Sequence, residues 1–503
     1  MRSCVPQLTA VRIVRAFTFA VAVGMAGMGC VGTPGFPAPI SVHAEGEDSV
    51  LSFDTDGDRL PDFWQYQGPD GRKYALDFSS RSEDAEQRIR LDQISADDCP
   101  HFIIVLDGVP FELVDELYRE GYFRFFHPPS KVICCFPAMT DLALSRLFHA
   151  GRCRAYEARR FDRAANRFSD GAAVYLSGEN SPWMEYMDYR CSFWWDGLAY
   201  LNPQAVFEHE LKGMLAAFRK IDAGQAAAYS VGTAGLGTRG GREAILNYLI
   251  TIDRLCERII YERKGRANIT VVADHGHNLV VNERVSFRKT LEAGGFRQTK
   301  SLHTPKDVAP AGYGLVTYAA FFTNEPERVA ACLLNHPSVE FACYPDELGV
   351  AVRDQNGAAY IRQGSEGFIY DFQESDPLKL AAIERSLKQA GKVNERGEID
   401  ATALFAASAE HFYPDPLERI WGAFFNLVEF PPDVLVNLRD GSCYGSRLFA
   451  FMIGRVASTH GSLNRINSTT FVLTTLGELA PVMRSRDVLP ALREASGAQP
   501  LLR

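Results

Sequence analysis

Phe102-Ile-Ile-Val-Leu-Asp107-Gly108 and Ile269-Thr-Val-Val-Ala-Asp274-His275-Gly276 are the two stretches that decide the fold. Each is a short run of mainly β-branched and apolar residues that ends abruptly in an acidic residue. Strands covered on both faces read this way, because neither face of the strand meets water. Lys131-Val-Ile-Cys-Cys135 is a third run of the same kind. Helical periodicity fills the intervals, over residues 110–121, after Pro137 with Leu142, Leu144 and Leu147, and over residues 242–263. Strands alternating with helices predict an α/β fold, a three-layer core around a mostly parallel central sheet.

In an open α/β sheet, ligands gather at the carboxyl ends of the strands. Asp107 directly follows the first run, and Asp274-His275-Gly276 directly follows the later one. Thr140, in Pro137-Ala-Met-Thr140, falls between a strand and a helix start, and His460 stands in Ser458-Thr-His460-Gly. Carboxylates and imidazoles together suit zinc, or manganese where oxygen dominates. A hydroxyl beside such an ion loses its proton more easily and becomes a nucleophile near neutral pH. At a helix start it also faces backbone N–H groups that favour an incoming anion.

This order of motifs resembles the alkaline phosphatase superfamily: strand-Asp107, Pro137-x-x-Thr140, strand-Asp274-His275-Gly276, then Thr459-His460-Gly461. The Pro137-x-x-Thr140 context is most similar to the type I phosphodiesterase/nucleotide pyrophosphatase and phosphonoacetate hydrolase branches. The likeness spans about residues 99–300 and then the chain from Asp433. It implies an alkaline phosphatase-like core, with Thr140 as nucleophile forming a phospho-enzyme that water cleaves. It also implies one metal held by Asp107, Thr140, Asp274 and His275, and a second to which His460 belongs. Relatives supply an Asp and a His to that second ion, four residues apart ahead of a Gly-rich helix start. Ala234 and Thr238 stand there in this chain. Alanine cannot ligate, and a neutral threonine hydroxyl is a poor zinc ligand.

Three readings stay open. The protein works with one zinc or manganese, Arg239 helping to offset substrate charge; or a nearby group such as His277 replaces the lost ligands; or catalysis is lost. The leading expectation is an extracytoplasmic metal-dependent hydrolase of a small phosphate or phosphonate ester, with one or two ions. The alternative is a catalytically impaired lipoprotein that binds an anionic ligand or a surface partner. Cys135-Phe-Pro137 is similar to a sulfatase motif, but Met139 replaces the arginine that completes it. Asn180, in Gly178-Glu-Asn180-Ser, is a candidate donor to substrate oxygen, with a turn asparagine as its plain alternative. Trp183, Tyr186, Phe193, Trp194 and Trp195 would line a pocket or simply pack.

The rest of the chain frames that core. It has 503 residues and a formal net charge of -9 with no long basic run, which argues against a nucleic-acid polymer as partner. Arg2, Arg12 and Arg15 precede an apolar run over residues 16–28 that ends in Gly27-Met28-Gly29-Cys30. This pattern describes an export signal, residues 1–30, and resembles a bacterial lipobox with Cys30 as the lipidated residue and membrane anchor. A plain signal peptide or an uncleaved anchor is the alternative. Residues 31–48 read as a flexible tether. Asp54-Thr-Asp56-Gly-Asp58-Arg-Leu-Pro-Asp62 places carboxylates where they converge on one structural calcium, within a segment over residues 49–98. Residues 99–312 then form the first part of the core, residues 313–432 an inserted α+β cap, and residues 433–503 the return to the core. Of the 11 cysteines only Cys134 and Cys135 are neighbours, and no CxxC pair supports a zinc ribbon.

Overall fold

The computed structural model describes residues 36–78, 88–169, 180–372 and 374–497, and the export segment with Cys30 lies outside them. The central sheet has six strands: β1 (His101–Leu106), β2 (Ser130–Ile133), β3 (Gln225–Ser230), β4 (Asn268–Ala273), β5 (Thr469–Thr474) and β6 (Val482–Arg484). Their order is β3-β1-β4-β5-β2-β6, and every neighbouring pair is parallel except the two that β5 makes. The fold is thus mixed α/β, with a mostly parallel sheet and one reversed strand.

Side chains alternate across the sheet. Phe102, Ile104 and Leu106 pack with α1 (Phe111–Arg119) and with Leu211, Met214 and Leu215 of α3 (Pro203–Phe218). The same face receives Ile245, Leu249 and Ile252 of α4 (Gly232–Glu262). Ile103 and Val105 pack on the other face with Leu144 and Leu147 of α2 (Thr140–Leu147) and with Val488 and Leu492 of α5 (Val488–Ala495). Helix α4 starts at Gly232, ahead of the periodic stretch, and kinks at Gly241, whose φ is 65°. A glycine-rich segment is a weak helix former. Here the buried Glu210 carboxylate of α3 accepts N–H bonds from Val231 and Gly232, both at 3.0 Å, and so supplies the missing cap.

Two boundaries differ from the sequence reading. Val434–Leu438 does not rejoin the central sheet. It lies in the middle of a nine-stranded sheet, paired antiparallel with Tyr318–Thr323 and Val339–Pro345. That sheet also takes in Arg297–Gln298 and Asp307–Ala311, so residues 313–432 are not a self-contained insertion. An apolar five-residue strand buried on both faces looks the same whichever sheet receives it. The second difference is in the tether, where Ser41–Glu45 pairs with Asp48–Phe53 as the edge of a five-stranded antiparallel sheet. This sheet docks on α4 through a cluster of Phe36, Phe53, Phe63, Phe78 and Tyr261, with ring centroids 4.8–5.8 Å apart. A buried ion pair between Lys73 and Glu257 fixes the same seam. Among the described residues no disulfide forms, and no helix is long and apolar enough to cross a membrane.

His101 opens β1 with its Nε2 2.8 Å from Thr270 Oγ1, and burial lowers its pKa to about 4. The native state therefore resists a proton that the unfolded chain accepts near its ordinary value of 6.5. The stabilisation is whole above that value and is lost as pH falls from it through 4, by up to ~3 kcal/mol. Urea unfolding of His101→Gln against the parent across this window should show a flatter acid limb in the variant. Parallel acid limbs would show that His101 is not the group responsible.

Candidate active site

The parallel register builds the site. Ala273 of β4 pairs with Leu106 of β1, and Leu106 pairs with Ser230 of β3. The next residues, Asp274 and Asp107, therefore leave the sheet side by side, next to the start of α4. Glycine following Asp107 lets the chain turn sharply, since Gly108 has φ 70° and its N–H donates to Asp274 Oδ1 at 2.9 Å.

Asp107, Asp274 and His275 each offer a ligand atom, all within 4.8 Å of one another. His275 Nε2 lies 3.3 Å from Asp274 Oδ2 and 3.8 Å from Asp107 Oδ1. Thr140, the first residue of α2, donates its hydroxyl to Asp107 Oδ2 at 3.4 Å and lies 3.3 Å from His275 Nε2. The structure thus brings together Asp107, Thr140, Asp274 and His275, from two strand ends and one helix start.

The electrostatics of this cluster call for a cation. Asp274 is fully buried, its Oδ2 has no hydrogen-bond partner, and burial raises its pKa. An ionised carboxylate in that position is strongly destabilising unless a positive charge compensates it. His275 cannot supply that charge, because burial drops its pKa to about 3. Its Nδ1 lies 3.1 Å from the Gly276 carbonyl and must donate there, which leaves the Nε2 lone pair facing the carboxylates. Two carboxylates, a hydroxyl and an imidazole with its second nitrogen anchored form a donor set that fits zinc or manganese.

His460 lies beside this group, its ring 4.0 Å from that of His275 and stacked on it. Its Nδ1 donates to the Ala138 carbonyl at 2.8 Å. The loop that carries it is held from both sides, since Thr317 N donates to the His460 carbonyl and Ala138 N to the Gly461 carbonyl. Ala234 and Thr238 are buried in the first turns of α4 and bring no ligand. His277 is fully buried next to the same turns, as the nearest approach of Gly237 shows.

Several expected residues have other work. Asn180 spends its side chain on protein groups. Its Oδ1 accepts the N–H groups of Arg154 and Ala155, both at 2.9 Å, and its Nδ2 donates to Asp141 Oδ2 at 3.0 Å. Arg239 is exposed and donates to the Ile453 carbonyl at 2.9 Å. Cys135 is buried with its thiol on the Pro137 carbonyl. Trp183 packs against Tyr229 and donates to Asp141, Trp195 stacks on His209, Tyr186 stacks on Phe148, and Trp194 is exposed. In the acidic loop, Asp54, Asp56 and Asp58 converge within 4.8 Å, whereas Asp62 turns both oxygens onto Thr55 and stands apart.

Two contributors escaped the sequence reading. Tyr229 donates its hydroxyl to Asp107 Oδ2 at 2.5 Å. Asp141, directly after Thr140, is partly buried and collects bonds from Asn180, Ser181 and Trp183, pinning that loop beneath the helix start. Tyr229 could have been found, because it is one residue from the end of a strand parallel to β1. Asp141 could not, since its partners lie some forty residues on in a stretch without periodicity.

Comparison with known proteins gives a likeness and no assignment. No family profile matches the sequence, and no curated protein does. Among solved structures, the phosphonoacetate hydrolase of Sinorhizobium meliloti with phosphonoformate matches at 11% identity, covering 82% of this chain and 97% of the other, TM-score 0.41. Human ectonucleotide pyrophosphatase/phosphodiesterase 5 matches at 11% identity, covering 80% and 95%, TM-score 0.41. An inactive form of the murine counterpart with AMP matches at 10% identity, covering 80% and 95%, TM-score 0.42. Overlap at this level says nothing of activity, which has to be read from the residues themselves.

A structural Asn180 has a measurable signature. Asn180→Ala strands two backbone donors and unbalances Asp141, and should lower unfolding free energy by about 1–3 kcal/mol in urea. Metal content per folded molecule should stay that of the parent; a fall in metal content at unchanged stability would place Asn180 at the site instead.

Proposed function

We propose that the chain is a metal-dependent hydrolase of small phosphate or phosphonate esters, of the phosphodiesterase or phosphatase type, with Thr140 as nucleophile. The observation that carries this is the position of one hydroxyl. Thr140 Oγ1 sits at a helix start, within 3.4 Å of Asp107 and 3.3 Å of His275, over a buried carboxylate whose Oδ2 lacks a partner.

An ion held by Asp107, Asp274, His275 and Thr140 would supply the positive charge that lowers the hydroxyl's pKa and draws the anionic ester in. The remaining work falls to the chain. Asp107 orients Thr140 by accepting its hydroxyl, and Tyr229 fixes Asp107 in turn. No side chain caps α2, so its first N–H groups are free to receive the non-bridging oxygens of the ester. Thr140 Oγ1, its proton released, then bonds to phosphorus as the bond from phosphorus to the ester oxygen breaks and the alcohol departs with a proton; water later cleaves the Oγ1–phosphorus bond and restores the threonine hydroxyl.

The location and the accessory ion belong to the same proposal. The sequence pattern ending at Cys30 supports export and attachment to a bacterial membrane through a lipid on that cysteine. Asp54, Asp56 and Asp58 form the oxygen-rich turn expected of a structural calcium. A second reading, a ligand-binding lipoprotein without catalysis, draws on one observation, the buried Ala234 where relatives carry a metal ligand.

The test uses aryl phosphate mono- and diesters with zinc, manganese or calcium. Turnover should require zinc or manganese and fall at least ~10³-fold in Thr140→Ala, with the fold intact by circular dichroism. Metal-independent turnover, or turnover unchanged in Thr140→Ala, would overturn the proposal. Metal binding without any turnover would favour the non-catalytic reading.

A further inference from the structure

We infer that His277 is a metal ligand, paired with His460 on a second ion, and that it stands in for the ligands missing at Ala234 and Thr238. The inference rests on reading the Asp107–Asp274–His275 cluster as a metal centre, and goes beyond it.

The first observation is an orphaned nitrogen. His277 is 0% exposed, and its Nε2 has no hydrogen-bond partner. A buried imidazole nitrogen is nearly always satisfied, so the exception needs a reason. Its other nitrogen is anchored: Nδ1 lies 3.2 Å from Ser458 Oγ. That oxygen also accepts from Leu279 N at 2.9 Å and lies 3.4 Å from Asn278 Oδ1. Ser458 then donates its one proton to Asn278 and accepts from Leu279 and from His277 Nδ1–H. This assignment satisfies every group except His277 Nε2, which is left as a bare lone pair. His275 and His460 have the same arrangement, with Nδ1–H on the carbonyls of Gly276 and Ala138. Three imidazoles locked in one tautomer by their outer nitrogens are what metal ligands look like.

The second observation is spacing. Two imidazoles bound through Nε2 to one zinc at ~2.1 Å, near the tetrahedral angle, place their ring centroids on the order of 5 Å apart. The His277 and His460 rings are 5.2 Å apart and tilted by 34°. His275 and His460, at 4.0 Å and 18°, are too close and too nearly parallel to share an ion, so His460 is left to the second site.

The third observation is space. A Cβ on Gly108 would stand 2.5 Å from both Nε2 and Cδ2 of His277, so only glycine at 108 leaves that edge of the ring uncrowded. A Cβ on Gly237 would reach His277 Nδ1 at 3.2 Å, which puts the ring beside the turns of α4 that carry residues 234 and 238. The replacement thus comes from the strand side of the same neighbourhood that the lost ligands would occupy from the helix side.

The experiment measures metal content of the full chain after zinc loading and dialysis, with cobalt spectra as a second readout. The parent should hold two ions at the cluster, counted after subtracting calcium. His277→Asn, whose amide can keep the bond to Ser458, should hold one, and its cobalt spectrum should lose one of two absorption components. Asp274→Asn should lose the other ion. A parent with two ions that His277→Asn retains would overturn the inference, as would a parent with one ion lost only in Asp274→Asn; both leave the proposed function standing. A parent that holds none would remove both.

Discussion

Two carboxylates emerging together from adjacent parallel strands set the terms for everything around them. Asp107 and Asp274 are neighbours because Leu106 and Ala273 are paired, and no side-chain choice elsewhere could separate them. Burying both charges is unfavourable by several kcal/mol for each ion unless something positive or proton-donating meets them. The surroundings answer within the limits of the fold: Gly108 and His275 donate backbone N–H groups to Asp274, Thr140 and Tyr229 donate hydroxyls to Asp107, and no lysine or arginine approaches among these contacts. On the reading proposed above, a bound cation would meet the charge that remains.

Around this centre the chain uses buried polar groups as braces. Asp141 fixes the loop of Asn180, Ser181 and Trp183 beneath the start of α2, and Glu210 caps α4 where its own sequence is weakest. The buried Arg419 donates to the carbonyls of Cys135, Pro414 and Leu463 and to Ser468. It thereby ties the segment before Thr140 to the segment after His460. Each brace is satisfied by partners distant in sequence, which makes the site a property of the tertiary fold and not of any one loop.

That division also explains what the sequence could reveal. The strand ends and their acidic residues were legible, because an apolar run stopped by Asp leaves little choice about where the carboxylate lies. The placement of Thr140 followed from Pro137 and the helical leucines. Val434–Leu438 misled, since a short apolar strand carries no mark of the sheet it will join. Asn180 was ambiguous for a different reason: an amide near a motif can serve substrate or backbone equally, and its contacts with Arg154 and Ala155 are visible only in the fold. His277 was visible as a histidine two residues past a ligand, but its unsatisfied Nε2 depends on Ser458, far along the chain.

The reversed strand β5 has a consequence for how the molecule comes together. It lies between β4 and β2, and so joins the half-sheet β3-β1-β4 to the pair β2-β6. In sequence it arrives only after the whole nine-stranded sheet has been made. Until then β4 and β2 present open edges, and the half-sheet that carries Asp107 and Asp274 has no neighbour on one side. The closing contact is therefore among the longest loops the chain must shut, and such contacts form slowly. Asp107, Asp274 and His275 share one half-sheet from the start, and Thr140, carried on the far side of β5, joins them only once that strand is seated.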